Sequence, residues 1–267
     1  MNTIACLGDS TTYNGTLGVR ADQFYPHLLS KLLPSGWQCR NFGKSGDSTP
    51  LVLARVPDLA TWETPEIVVV YAGTNDTNSG HYSTVQASPA PTTTTLAVGT
   101  GVGATMPVGS NILVNGKPTR VTAQSGDNLT FVASAAIGTP TAGQTVTPDT
   151  KANLASTVGA IRALGCRNVL VVGHPYMNYS SGGDTTSAQQ ASAATLRALQ
   201  QGAAVQVGAP YVDLYAFCRD RILAGTDTQG DHLYHVLDSN IHPSPYGSSV
   251  WASAIFQAIT QNMWLHP

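Results

Sequence analysis

The chain has 267 residues, a net charge of −2 and 42% hydrophobic residues, yet only 10% are charged. Soluble domains usually carry roughly 25% charged residues, so this surface must be built from Thr, Ser, Gly, Asn and Gln. No run of Lys and Arg is present, which argues against a nucleic-acid partner. No stretch of about 18 apolar residues exists to predict a membrane span.

The length suits one large domain, or one domain carrying an insert. The first residues, MNTIACLGDS, show no basic stretch leading into a long apolar one, so no secretory signal is expected. Cys6, Cys39, Cys166 and Cys218 are widely spaced, with no C-x-x-C pair and no His at ligand spacing. They read as reduced, mostly buried thiols, with no metal site.

Taken in chain order, apolar runs alternate with helical patterns. Thr3 to Leu7 predicts a first strand and Phe24 to Leu33 a helix. Trp37 to Phe42 predicts a second strand, followed by a helix from about Pro50 to Trp62. Glu66 to Ala72 (EIVVVYA) is a third, strongly apolar strand. Asp149 to Leu164 predicts a helix, Asn168 to Gly173 a strand, and Thr185 to Ala204 a long Ala-rich helix. Tyr211 to Leu214 predicts a last strand and Pro245 to Leu265 a closing helix. Near-continuous apolar strands separated by helices mean a parallel sheet covered on both faces, an α/β class.

Between these lies a stretch of different texture, rich in Thr, Gly, Val and Ala, in which Lys117, Arg120 and Asp127 are the only charges. It predicts short strands at Thr94 to Val98, Asn111 to Val114, Arg120 to Ala123 and Leu129 to Ala133. Turns are expected at Asn115-Gly116 and at Gly126-Asp127-Asn128. The expected division is a catalytic domain of residues 1–84 plus 149–267, with residues 85–148 as a small all-β insert.

The tetrapeptide GDST occurs twice, in ACLGDSTT (residues 5–12) and in GKSGDSTP (residues 43–50). Both follow a predicted strand. The first puts Ser10 at the carboxyl end of strand one, the edge at which open α/β sheets bind ligands.

Four blocks in order, LGDST, NFGKSGDS, AGTND and DSNIHP, resemble those of the SGNH (GDSL-type) hydrolases. The resemblance spans Gly8 to His242 and omits only the insert. It implies a three-layer α/β/α sandwich with a flavodoxin-like parallel sheet. It further implies Ser10 as nucleophile, Gly46 and Asn75 as oxyanion donors beside the Ser10 N–H, and His242 as general base. Ser48 of the second GDST is then a bystander.

Elementary chemistry agrees with these roles. A serine hydroxyl attacks only when a neighbouring base takes its proton, and imidazole suits that near neutral pH. The tetrahedral intermediate places charge on a former carbonyl oxygen, which needs several fixed donors. The glycine at position 46 is expected to let the backbone approach closely.

The sequence departs from the family at one place. The family sets its acid three residues before the histidine, whereas here that slot is Ser239 and Asp238 stands four before. Either Asp238 reaches Nδ1 of His242 through a longer loop, or a backbone carbonyl orients the ring; Asp238 is the expected acid. His174, ending a strand in VVGHP, is a candidate pocket-wall, substrate-binding residue, and the packed-histidine alternative stays open. His232 and His235 lack a further ligand set.

No G-x-S-x-G elbow is present, FGKSG lacks the earlier glycine of a P-loop, and GTGVGA falls inside the β insert. No cofactor is therefore expected. The expected activity is serine esterase, and the favoured substrate an O-acetyl group on a carbohydrate. The partner is thus a small-molecule or polysaccharide ester, with no nucleic acid and no membrane. The rivals are a lipid-type or thioester hydrolase and a glycan-binding protein on a degenerate hydrolase fold. The low-charge, Thr/Gly-rich texture resembles that of virion-attached phage-tail proteins, so a virion-associated setting is weighed beside a cytoplasmic one. Oligomeric state leaves no sequence signal.

Overall fold

The computed structural model describes residues 1–13, 20–61, 63–77, 80–175, 187–223 and 242–265. Its centre is a five-stranded parallel sheet built from β1 (Asn2–Gly8), β2 (Trp37–Gly43), β3 (Ile67–Tyr71), β10 (Asn168–Val172) and β11 (Tyr211–Val212). The strands of the sheet's middle are mostly apolar because both their faces are covered. Side chains alternate across a strand, so Ile4, Cys6, Ile67, Val69 and Tyr71 enter one core cluster. Ala5, Leu7, Val68 and Val70 enter the other.

The first cluster is closed by α2 (Tyr25–Leu32), α6 (Leu214–Leu223) and α7 (Pro245–Gln261). The second is closed by α3 (Thr49–Ala54), α4 (Thr150–Ala163) and α5 (Ser187–Val207). This is the three-layer α/β/α sandwich expected from the sequence. No helix among the described residues is long and apolar enough to cross a membrane.

The spatial order is β11-β10-β3-β1-β2. Numbered among themselves, the core strands run 2-1-3-4-5, the flavodoxin-like order. From β1 the chain moves outward to β2, then crosses back to β3 on the other side. Such a reversal opens a crevice beyond the carboxyl ends of β1 and β3, where ligands bind in this class of sheet.

Two element predictions need correction. The helix expected over residues 50–62 stops at Ala54, and a 3₁₀ turn, Val56–Ala60, follows. Pro57 has no N–H to continue the helix and disfavours helical geometry at the residue before it. Helix α6 was not anticipated at all, and the expected strand over 211–214 ends at Val212 because Leu214 opens that helix.

A second, antiparallel sheet of six strands lies between β3 and α4, in the order β4-β9-β6-β7-β8-β5. Its strands are β4 (Ser83–Thr84), β5 (Thr95–Ala97), β6 (Asn111–Val114), β7 (Lys117–Ser125), β8 (Asn128–Phe131) and β9 (Thr145–Pro148). It has its own apolar cluster, with Met106, Ile112, Leu129 and Phe131 at its heart. Asn115-Gly116 joins β6 to β7 as expected. Strands β4 and β9 were not predicted; they pair with each other where the chain enters and leaves this sheet.

Candidate active site

The loops after β1, β2 and β3 start level with one another, since Gly8 pairs with Gly43 on one side and Tyr71 on the other. Each carries one of the sequence-predicted residues: Ser10, Gly46 and Asn75.

After β1 the chain turns at once into α1 (Ser10–Tyr13). Gly8 is required for that turn, because a Cβ there would run into the Thr12 side chain and the Tyr71 carbonyl oxygen. The cap of α1 is Asp9, whose Oδ1 accepts from Thr11 N at 2.9 Å and whose carbonyl accepts from Tyr13 N at 2.9 Å. Ser10 is therefore spared the capping duty that serine often has, and it remains partly exposed. Ser48, in the second GDST, is fully buried, and its hydroxyl meets no hydrogen-bond partner among the described residues. The two copies differ in access, and only Ser10 stands where a substrate could reach it.

Gly46 has φ +81°, and an added Cβ would meet nothing within 4 Å. No protein atom would crowd a side chain at this position. The left-handed backbone angle is what a larger residue would adopt only with strain.

Asn75 sits in the 3₁₀ turn Thr74–Thr77 after β3 and is buried. Its Nδ2 donates to the Asp47 carbonyl at 3.0 Å, which links the third loop to the second and fixes the direction of the amide.

Arg55 draws the same loops together from below. It pairs with Asp47, and its guanidinium donates to the carbonyls of Phe42 and Gly8, each at 2.9 Å. Nothing in the sequence marked Arg55; its partners lie up to 47 positions away.

His242 precedes α7, whose N-cap is Ser244, with Oγ accepting from Gly247 N at 3.0 Å and Pro245 opening the helix. That capping is as the sequence predicted. Further along α7, Trp251 packs between Tyr25 and Tyr71, with centroids 5.9 and 5.4 Å away. Tyr71 ends β3, so this packing seats the first half of α7 beside the carboxyl edge of the sheet. Among the described residues no hydrogen bond joins the Ser10 hydroxyl to His242. Catalytic hydrogen bonds are often loose until substrate is bound. Asp238, His232 and His235 lie outside the described residues.

His174 follows β10 and is 2% exposed, its Nδ1 lying 3.0 Å from the Tyr71 hydroxyl. Tyr71 also meets Thr74 Oγ1 at 2.9 Å, and Gln200 bridges the His174 N–H to the Ala72 carbonyl. Burial pushes the His174 imidazole down to about 4, so the ring is neutral at ordinary pH. The stability it contributes is complete above about 6.5 and declines as pH falls from there towards 4. His174 also lines a cavity of about 460 Å³, together with Thr74, Thr77, Thr150, Ser192 and Leu196. His81, which the sequence reading passed over, lies against the Gly46 backbone and near Asp47; burial is the main cause of its lowered pKa.

Three carboxylates, Asp9, Asp47 and Asp76, are buried behind this edge. Burial, reinforced by Asp76 and Asp47, pushes Asp9 up to about 7, against the lowering effect of the Thr11 hydrogen bonds. Its Oδ2 is buried without a hydrogen-bond partner among the described residues, the natural seat for a proton. Below pH 4 the folded and unfolded chains both hold that proton. As pH rises from 4 to 7 only the unfolded chain releases it freely, so stability declines through that window, by up to about 4 kcal/mol. Asp9→Asn should therefore gain stability relative to wild type on going from pH 4 to pH 8. Urea denaturation at both pH values measures the difference, and an unchanged difference would refute an uncharged Asp9.

No group of His, Cys, Asp and Glu among the described residues could hold a metal ion. None of the four cysteines is in a disulfide, and Cys6, Cys166 and Cys218 are buried.

A flavodoxin-like sandwich with an accessible serine at the switch point after its first strand defines an SGNH-type α/β hydrolase architecture. The chain belongs to the GDSL-like lipase/acylhydrolase family, whose description matches residues 6–250. Family membership supports serine-hydrolase or esterase activity in general. Among solved structures it is similar to an acetyl xylan esterase, AlAXEase, with TM-score 0.59, 15% identity and coverage of 96% of this chain and 99% of that one. It is also similar to a lipase/acylhydrolase from Enterococcus faecalis (TM-score 0.56, 17% identity, 98% and 97% covered). TesA is similar at TM-score 0.55 and 18% identity, with 99% and 100% covered. No curated protein matches the sequence significantly.

Proposed function

We propose that the chain is a serine esterase that cleaves carboxylic esters through an acyl-Ser10 intermediate, with O-acetylated carbohydrate as substrate. In this reading His242 takes the Ser10 proton as Oγ attacks the ester carbon, then returns it to the leaving alkoxide as the C–O bond breaks. Asp238 holds the imidazole in the required tautomer. The N–H groups of Ser10 and Gly46 and the Asn75 amide receive the oxyanion. Water then attacks the acyl-enzyme by the same proton path, releasing acetate and restoring Ser10.

The observation that carries the reading is the convergence of three strand-end loops at the switch point, with an accessible serine on the first and the amide of the third pinned to the second. The substrate class draws support from a cavity beside the third loop, lined by Gly73, Thr74 and Asp76 though by none of Ser10, Gly46, Asn75 or His242. At about 460 Å³ it is far larger than an acetyl group needs and falls within the usual range for ligand pockets. The Thr77 hydroxyl on its wall suits a sugar ring, and the similarity to an acetyl xylan esterase means that the fold admits such substrates. Leu196 and Leu199, on the α5 wall of the cavity, favour the second reading, in which a medium acyl chain lies there instead.

The same reading treats residues 1–84 with 149–267 as the catalytic domain and 85–148 as an inserted domain at the rim of the cleft. The low-charge texture supports a setting on surface glycans, such as a phage tail.

The test is hydrolysis of p-nitrophenyl esters of increasing chain length, followed by acetate release from an acetylated glycan. Preference for acetate together with release from the polymer is expected. Long-chain preference would replace the deacetylase reading with the lipid-type one. Absence of turnover on every ester would leave a binding protein.

A further inference from the structure

The loops bearing Gly46 and Asn75 are joined by a buried carboxylate. Asp76, next to Asn75, accepts from Thr49 N and Thr49 Oγ1, both at 2.7 Å, and from Thr150 Oγ1 at 2.5 Å. Thr49 opens α3 three residues after Gly46, and Thr150 opens α4. One side chain thus spans the second loop, the third loop and the helix that follows the β sheet of residues 83–148.

The link continues into that sheet. Asn153, fully buried on α4, donates from Nδ2 to Thr49 Oγ1 at 3.4 Å and to the Asn111 carbonyl at 2.9 Å. Its Oδ1 accepts from Asn111 N at 2.8 Å. Asn111 begins β6, and its carbonyl also accepts from Asp149 N at 3.0 Å. The Asn153 amide therefore holds one peptide of the inserted sheet as a neighbouring strand would, while its other end reaches Thr49. The second sheet begins seven residues after Asp76 and ends two before Thr150, so the same carboxylate stands near both of its ends.

We propose that Thr49, Asp76 and Asn153 form a positioning relay that sets the gap between the oxyanion donors Gly46 and Asn75, and that the root of the β insert is a working part of it. This rests on the oxyanion roles assigned under the proposed function. None of the three touches substrate; each acts through the loop it holds. The central hydroxyl of Thr49 is the joint, since it donates to Asp76 and accepts from Asn153. A displacement of about 1 Å at donors aimed at a transition state can cost on the order of a hundredfold in rate.

The test uses the full chain and three variants: Thr49→Val, which keeps the shape and loses the hydroxyl, Thr49→Ser, which keeps the hydroxyl, and Asn153→Ala. Turnover of p-nitrophenyl acetate is normalised to the sites that a fluorophosphonate labels at end point. Thr49→Val and Asn153→Ala should lower kcat about ten- to a hundredfold with KM within about twofold, as expected for donors used only in the transition state. Thr49→Ser should keep near-normal kcat. Lowered melting temperature with unchanged kcat per labelled site in Thr49→Val would overturn the relay and leave a structural role only. If Asn153→Ala does not fold, the Thr49 pair decides alone. A wild-type chain that is neither labelled nor active would remove the functional reading and the relay with it, an outcome read before any variant is made.

Discussion

Ser10→Ala is expected to lower kcat on p-nitrophenyl acetate by about 10⁴- to 10⁶-fold, while the melting temperature moves by no more than a degree or two. The first half follows from the proposed chemistry, since without Oγ no acyl-enzyme forms. Residual turnover would come from the oxyanion donors and bound water alone. The second half follows from the structure. The helix after β1 is capped by Asp9 and not by Ser10, and Ser10 is partly exposed. Removing a hydroxyl at such a site leaves no buried group unsatisfied. A serine kept for folding would show the opposite pattern, with stability lost and residual activity retained. Kinetics and thermal melts on one preparation separate the two. Ser48→Ala serves as the internal control: its buried hydroxyl has no partner among the described residues, so activity should stay within a few-fold of wild type.

The sandwich was legible because the strands in the middle of its sheet are buried on both faces. Such strands must be apolar without interruption, as IVVVY in β3 is, and that pattern survives in the sequence. The strand Asn111–Val114 was legible for a related reason, since a strong Asn-Gly turn signal marks its end. Helix α6 was not, because LYAFCRDRIL mixes aromatic, thiol and charged residues with little periodicity. The strands Ser83–Thr84 and Thr145–Pro148 are short and polar, and exist because they pair with each other.

Around the candidate site, local motifs pointed to Ser10, Gly46, Asn75 and His242 as residues, and to the strand ends that carry the first three. What the sequence withheld was the scaffold behind them. Arg55, Asp76 and Asn153 are ordinary polar residues whose meaning comes from partners 8 to 104 positions away. The left-handed backbone angle of Gly46 is likewise invisible in the sequence and adds a second reason for a glycine there. Both kinds of information belong to tertiary geometry and leave no short-range trace.

Arg55→Met is expected to lower stability by about 3–5 kcal/mol, the usual cost of removing one partner from a buried ion pair. In a chain of this size that corresponds to a drop in melting temperature of about 6–10 °C. The reason lies in what is left behind. Asp47 would remain buried with its charge uncompensated, and the carbonyls of Phe42 and Gly8 would each lose a charged donor. Those three acceptors sit on the second loop, the end of β2 and the end of β1. Their release should therefore also loosen the surroundings of Gly46 and lower kcat by about ten- to a hundredfold. Arg55→Lys should recover little of either, because an ammonium is a point charge and cannot address three acceptors in one plane as a guanidinium does. Adding Asp47→Asn to Arg55→Met separates the two effects. The stranded charge disappears, so part of the stability should return, and the double-mutant cycle gives the coupling energy. Activity should not return with it, because the two carbonyls still lack their donor and the loops stay untied. Full recovery of kcat in the double variant would show that Arg55 only neutralises Asp47 and has no part in holding the strand ends together.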